Sequence, residues 1–316
     1  MRSGYRRMTN PNCGQPSRYV LGGQASTWRK RLHLYGYAFI APFFAGFIIF
    51  HLYPIVYSLY LSFTDWQGYG SPIYIGSANY ARLLGDPVFY KSLTNTLVIW
   101  IISIVPQLSL ALVLALILSE KFVRGKHFFR AVFYFPNLVT PVSIGVLFSL
   151  LFDWQTGVAN KALLALHLVG VPVNWLGDPF LSRILVAGVI CWQWFGYNML
   201  LYLAGLQSVP DEIVEAAKVD GANSVQVATR IQIPLLRPVI LFTLITSIIG
   251  GMQIFDVPYL LTGVGPDNST LTIVMYLYNT AFKDSRYGYA STIAYSTFVL
   301  IALLSMATFR LGRSRR

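Results

Sequence analysis

Charge is scarce in this sequence. Only 11% of its 316 residues are Asp, Glu, Lys or Arg, against about 25% in soluble domains. Acidic residues are the scarcest, 12 against 24 basic ones. There are two cysteines, Cys13 ahead of the first apolar run and Cys191 inside a later one, which excludes a disulfide framework. The four histidines, His33, His51, His127 and His167, are scattered, and no His-Glu-x-x-His pair occurs. No metal site is expected from them. The sequence has no Gly-x-x-x-x-Gly-Lys-Ser/Thr run to cradle nucleotide phosphates. Gly263 and Gly265 precede no helix start that would seat a phosphate. A Gly-x-Ser-x-Gly nucleophile elbow is also missing. No catalytic residue, metal or cofactor is therefore expected.

What the sequence does have is apolar length. It is 55% hydrophobic, with a mean hydropathy of +0.56. A membrane core takes about 20 apolar residues per helix. Six segments qualify, at Tyr35–Phe63, Leu93–Ser119, Phe128–Phe152, Ile184–Leu206, Val239–Val257 and Tyr289–Phe309. The expected fold is all-α, a polytopic membrane protein of six transmembrane helices. The first apolar stretch is too long for a secretory h-region and lacks a small-residue cleavage site, so it reads as a retained span. Residues 1–34 form a basic tail without apolar period and are expected to be disordered. Residues 35–309 form the membrane domain, and residues 310–316 form a basic C-terminus.

The net charge of +12 raises the possibility of nucleic acid, and its placement argues against it. Seven Lys and Arg lie in the first 31 residues, four between Lys121 and Arg130, three around 218–237, and four from Arg310 onward. Those eighteen fall on one side of a six-span topology. The other side has six: Arg82, Lys91, Lys161, Arg183, Lys283 and Arg286. The positive-inside rule then puts both termini in the cytoplasm. The basic excess suits anionic lipid headgroups, and no nucleic-acid partner is expected. The cluster Arg124-Gly125-Lys126 reads as a stop-transfer signal or as a lesser contact with a cytoplasmic partner.

One polar stretch, at about 208–235, interrupts the apolar pattern on the cytoplasmic side. Ser208-Val209-Pro210-Asp211 looks like a capping-box start. Ile213, Val214, Ala216, Ala217 and Val219 can share an apolar face, and Gly221 is a natural helix stop. Asn223-Ser224 can cap a second short helix, whose length Pro234 limits. The stretch reads Glu215-Ala216-Ala217, three residues, Gly221, nine residues, Ile231-Gln232-Ile233-Pro234. This spacing resembles the Glu-Ala-Ala loop of ABC-importer permease subunits, whose form ends Ile-x-Leu-Pro. One fixed position departs, Ile233 for leucine. Other stretches are similar to the sugar-type, binding-protein-dependent permeases, of the maltose, lactose and glycerol-3-phosphate kind. They are Phe63-Thr64-Asp65-Trp66, Gly76 to Tyr80, Asn95-Thr96, Val173 to Pro179, and Leu261 to Thr270 with Val264-Gly265 where two glycines are usual.

The resemblance implies the permease subunit of a bacterial ABC importer for a sugar or sugar-like solute, multi-pass in the inner (plasma) membrane. Its partners would be two ABC ATPase subunits, a second homologous permease and an extracytoplasmic solute-binding protein. ATP energy would enter through the partner, at a cytoplasmic helix-turn-helix coupling loop carrying Glu215, Ala216, Ala217, Gly221, Ile231 and Pro234. Polar groups at membrane depth are candidates for the substrate pathway: Gln193, Tyr197 and Asn198 in the fourth span, Gln253 and Asp256 in the fifth. Interhelical hydrogen bonding is the other reading of the first three, and helix capping the other reading of Asp256. Gly250-Gly251 permits close packing or a local break in the fifth span, a kink being the expected use. The alternative function is an ion-coupled secondary transporter, which calls for internal repeats and a buried acid–base set. Neither is visible.

Overall fold

The computed structural model describes residues 24–120 and 122–313, most of them helical. The chain divides into two units, Met1–Tyr57 and Ser58–Arg316. The first unit holds α1 (Gln24–Phe47), a π-helical turn, Ile48–Leu52, and the start of α2 (Tyr53–Ser62), whose last residues belong to the second. Helix α1 thus starts inside the stretch expected as disordered tail. Gln24 to Arg31 contains no glycine or proline and is rich in good helix formers, Ala25 and the basic run Arg29-Lys30-Arg31. The rest of that tail lies outside the described residues.

The second unit holds a two-residue hairpin, β1 (Thr64–Asp65) with β2 (Ile73–Tyr74), and the remaining helices. These are α3 (Ala78–Leu84), α4 (Pro87–Ser119), α5 (Lys126–Leu138), α6 (Pro141–Leu151), α7 (Val158–Ala165) and α8 (Pro179–Leu206). A short α9 (Asp211–Val219), α10 (Ser224–Val227) and α11 (Ile233–Leu235) lead to α12 (Arg237–Met252), α13 (Asp256–Leu261), α14 (Ile273–Tyr278) and α15 (Tyr287–Arg313). Among the described residues four helices are long and apolar enough to cross a membrane, or up to six if each of two bent pairs is one span.

Proline placement explains the bends. The expected third span is two helices, α5 and α6, at 92°. Thr140 is extended and its Oγ1 accepts from the Ser143 N–H at 3.3 Å, with Pro141 next at the first helical position. This is a helix start within an apolar run. The expected fifth span also ends early. α12 stops at Met252, and Gln253 to Phe255 separate it from α13. Two π-helical turns keep one register with proline: Ile48–Leu52 precedes Pro54, and Ala228–Gln232 precedes Pro234. Proline lacks an N–H for the carbonyl four residues back, and a π-turn absorbs the mismatch. The helix therefore runs through Pro234 to Leu235. The 66° bend to α12 follows, at Leu236.

The core is the α4–α8 pair. Ala111, Ala115 and Leu118 of α4 bury against Met199, Tyr202, Leu203 and Leu206 of α8, with Leu236. Toward the helix starts, Ile99 meets Leu185 to Ile190, joined by Ile144, Val257 and Leu261. The two helices therefore run parallel. Small residues permit the approach that membrane packing depends on. A Cβ at Gly196 would lie 1.9 Å from the Phe133 carbonyl oxygen of α5. Tyr202 and Thr243 hydroxyls, 2.9 Å apart, join α8 to α12.

The starts of these helices are tied by long-range hydrogen bonds. Arg183 donates to Asn95 Oδ1 at 2.8 Å and to the Ser269 carbonyl at 3.0 Å. Asn95 in turn donates to the carbonyls of Asn268 and Leu271. Thr96 Oγ1 accepts from the Ile273 N–H, and Thr272 donates to the Ile254 carbonyl. Asp86 caps α4 and receives the Tyr276 and Tyr289 hydroxyls, each at 2.5 Å. Burial pushes the Asp86 carboxyl up, but the two hydroxyls and the Phe89 and Val88 N–H groups outweigh it, so it lies below the usual carboxylate range. Burial and the Asp86 carboxylate push Tyr276 up to about 12.

Candidate functional site

Two features stand out, a cavity between helices and an exposed hairpin. The cavity, about 370 Å³, is walled by one face each of α4 and α8 and by α12 with the break that follows it. On α8, Gln193, Tyr197 and Asn198 all reach it, the first two being four residues apart on one helical face. Gln193 and Asn198 are buried, and Asn198 Nδ2 donates to the Trp194 carbonyl at 3.1 Å. Gln253 and Asp256 come from the break and from the start of α13. The structure thus brings all five sequence candidates onto one wall system. Asp256 is the single carboxylate on it among the described residues, and as the first residue of α13 its charge also complements the helix dipole.

Sequence reasoning missed part of the lining. Trp100, Ser103 and Gln107 of α4 and Thr246 and Ser247 of α12 also face the cavity. The α4 trio stands at i, i+3 and i+7, a polar and aromatic stripe in the apolar middle of the helix, and that periodicity was available as a signal. The glycine pair lies in the last turn of α12, which ends at Met252 just before the break, and Gly251 makes room for the Trp100 ring. Close packing is thus one use of the pair.

The hairpin follows α8 after a short turn, in which Ser208 N–H bonds the Gly205 carbonyl and Val209 N–H that of Leu206. The expected capping box at Ser208 does not form, because its hydroxyl donates back to Gly205. Pro210 takes the N-cap position without a side-chain cap, and Asp211 and Glu212 supply negative charge in the first turn of α9. Glu215 and Ala216 are exposed and Ala217 half-buried. At the far end Gly221 has φ +87. Its N–H bonds the Lys218 carbonyl and the Ala222 N–H bonds that of Ala217. This is the Schellman closure, which needs a left-handed residue. Asn223 and Gln226 then form a reciprocal capping box at 2.9 Å each way. Ile231 sits in the π-turn and Pro234 in α11, both half-buried. Val219 and Val225 flank the turn at 87% and 70% exposure, an apolar tip that the described residues leave uncovered.

Comparisons with known proteins agree with one another. Residues 96–314 match the family described as binding-protein-dependent transport system inner membrane component. The chain is 40% identical over 300 residues to the lactose transport system permease protein LacF of Rhizobium radiobacter, covering 92% of this chain and 100% of that one. It is 35% identical over 280 residues to the arabinooligosaccharides transport system permease protein AraP of Bacillus subtilis, covering 88% of each. It is 34% identical over 289 residues to the multiple sugar-binding transport system permease protein MsmF of Streptococcus mutans, covering 91% and 98%. Its fold matches that of a chain in the crystal structure of a bacterial ABC transporter importing the acidic polysaccharide alginate, with TM-score 0.80 at 24% identity, covering 92% of this chain and 99% of that one. None of these relatives favours an ion-coupled secondary transporter. The chain therefore belongs to the binding-protein-dependent inner-membrane components: it is a multi-pass permease subunit of an ABC importer, a transport component and not itself an enzyme.

Proposed function

We propose that this permease carries a sugar or sugar-like solute through the α4–α8–α12 cavity and takes its power stroke at the α9–α10 hairpin. The observation that carries the reading is mechanical. The hairpin is joined to α8 by a short hydrogen-bonded turn, and α8 also carries Gln193, Tyr197 and Asn198 on the cavity wall. A displacement of α9 is therefore a displacement of the wall. The lining supports an uncharged, hydroxyl-rich solute: amides, hydroxyls and aromatic rings with one carboxylate. The sugar-transport names of the relatives support the same class.

In this reading the partners are two ABC ATPase subunits, a second homologous permease, an extracytoplasmic solute-binding protein and the surrounding lipids. Both termini and the hairpin face the cytoplasm, and the Asp86–Arg183 end faces outward. Ala216 and Ala217 fit a groove on the ATPase, as helix-in-groove recognition requires, while Glu215 pairs with a basic group there. Gly221 closes α9, and Ile231 and Pro234 anchor the hairpin's return. Two permeases rotating as rigid bodies then give alternating access. Glu215→Ala removes one member of a buried interface pair, a loss of about 2–5 kcal/mol. Glu215→Ala and Gly221→Asp are expected to abolish ATP-driven uptake while membrane insertion stays intact, with the ATPase either lost on purification or hydrolysing ATP regardless of substrate. Wild-type uptake and ATPase copurification in both variants would remove the hairpin from the mechanism.

A further inference from the structure

One residue of the cavity wall carries more than its position. Trp100 lies on α4 with its ring facing the cavity. The indole rests against Gly251 of α12, where a Cβ would come within 1.9 Å of Trp100 Cδ1 and 2.5 Å of its Nε1. Only glycine leaves that seat open. The Nε1 group is buried and has no hydrogen-bond partner among the described residues. A buried indole N–H ordinarily finds an acceptor, and one without an acceptor forfeits a hydrogen bond it would have made with water. The α4 backbone is fixed beneath it, with Ser103 Oγ donating to the Trp100 carbonyl at 2.9 Å. The ring, by contrast, is held by packing alone on one side and is open to the cavity on the other.

An indole is a flat apolar plate with a single donor and no acceptor. A sugar ring offers a C–H face to the plate and hydroxyl oxygens to the donor. We propose that Trp100 is a sugar-recognising residue that turns out of the Gly251 seat, stacks on the sugar and donates its Nε1–H to a sugar hydroxyl. This gives the ring a reason to leave: turning restores the missing hydrogen bond, and it does so only when a hydroxyl is there to accept it. The same seat gives Gly251 its role, since any side chain there would drive the ring permanently into the path. The inference rests on the reading of the cavity as a sugar pathway.

The test uses the complete complex in proteoliposomes with its binding protein, ATP inside, and radiolabelled lactose as probe, followed by maltose and arabinobiose. The quantity read is sugar carried per ATP hydrolysed. Trp100→Phe keeps a ring and removes the N–H. Its ratio should fall about fivefold, the size of one lost neutral hydrogen bond, and Trp100→Leu should lower it further by removing the plate. A purely structural role would lower uptake and hydrolysis together and leave the ratio unchanged. An unchanged ratio in Trp100→Phe overturns the proposal and leaves the sugar reading standing. Wild-type complex that hydrolyses ATP but carries none of the three sugars overturns both.

Discussion

The two ends of the parallel α4–α8 pair are held by opposite means. At the Asp86–Arg183 end, side chains reach across long stretches of sequence: Arg183 to Asn95 is a separation of 88 residues and Tyr289 to Asp86 one of 203. The loop around Ser269 cannot move without breaking several of these bonds. At the α9–α10 end the bonds are local, a Schellman closure and a capping box within the hairpin itself. An ion pair links the hairpin to the C-cap of α4, Lys218 to Glu120 at 3.8 Å, with both side chains partly in solvent, and such a pair contributes little. One end is built to keep its shape through its own contacts. The other is a knob, rigid inside and tied to the rest chiefly through the turn to α8, which suits an element that passes on a displacement imposed from outside.

Glycine-to-alanine changes sharpen this comparison. At the first end, a Cβ on Gly288 would lie 2.1 Å from the Thr64 carbonyl oxygen, where only backbone can give way. Gly288→Ala should cost about 3 kcal/mol or more and lower the thermal unfolding temperature of the purified complex markedly. Somewhat smaller is Arg183→Ala, which leaves Asn95 and the Ser269 carbonyl short of a charged donor and should cost about 2–3 kcal/mol, read as faster proteolysis of the 263–272 loop.

Acid should act at the same end. The Asp86 carboxyl titrates below its unfolded value in the folded chain. Its stabilisation is therefore complete above the unfolded value of 3.8 and is lost as pH falls through the lower folded value. Amide exchange in α14 should accelerate below about pH 4, the ordinary Asp range, and Asp86→Asn should remove that step. The smallest effect belongs to the hairpin. A Cβ on Gly221 meets nothing within 4 Å, so Gly221→Ala carries only the left-handed backbone cost of about 1–2 kcal/mol. Faster exchange confined to residues 219–224, with the complex equally heat-stable, is the expected result. Equal losses for Gly288→Ala and Gly221→Ala would break the contrast between the ends.

Much of the helical frame was legible in the sequence, because apolar length and basic flanks are local properties. The places of the breaks inside two of the six runs were not. Thr140-Pro141 is only a mild dip in an apolar run, and Gly250-Gly251 with Gln253 hinted at a break without placing it; the capping geometry and the packing of the neighbouring helices decide where the chain turns. The cavity was half legible: Gln193, Tyr197, Asn198, Gln253 and Asp256 stand out as polar groups in apolar runs, whereas Trp100 looks like any core aromatic until Gly251 is seen beside it. The Asp86–Tyr276–Tyr289 and Asn95–Arg183 ties could not be read at all, since nothing local marks which residues meet across such separations. In the hairpin, Gly221 and Asn223 were readable because caps are local, and Ser208 misled because its hydroxyl chose the preceding turn.

The proposed docking of the hairpin on the ATPase is open to a direct test. A photo-crosslinking residue at Val219, 87% exposed at the hairpin tip, tests it directly in the assembled complex. The account predicts a crosslink to the ATPase subunit that changes in yield between ATP-bound and nucleotide-free states. A crosslink to the extracytoplasmic binding protein, or to lipid alone, would contradict it.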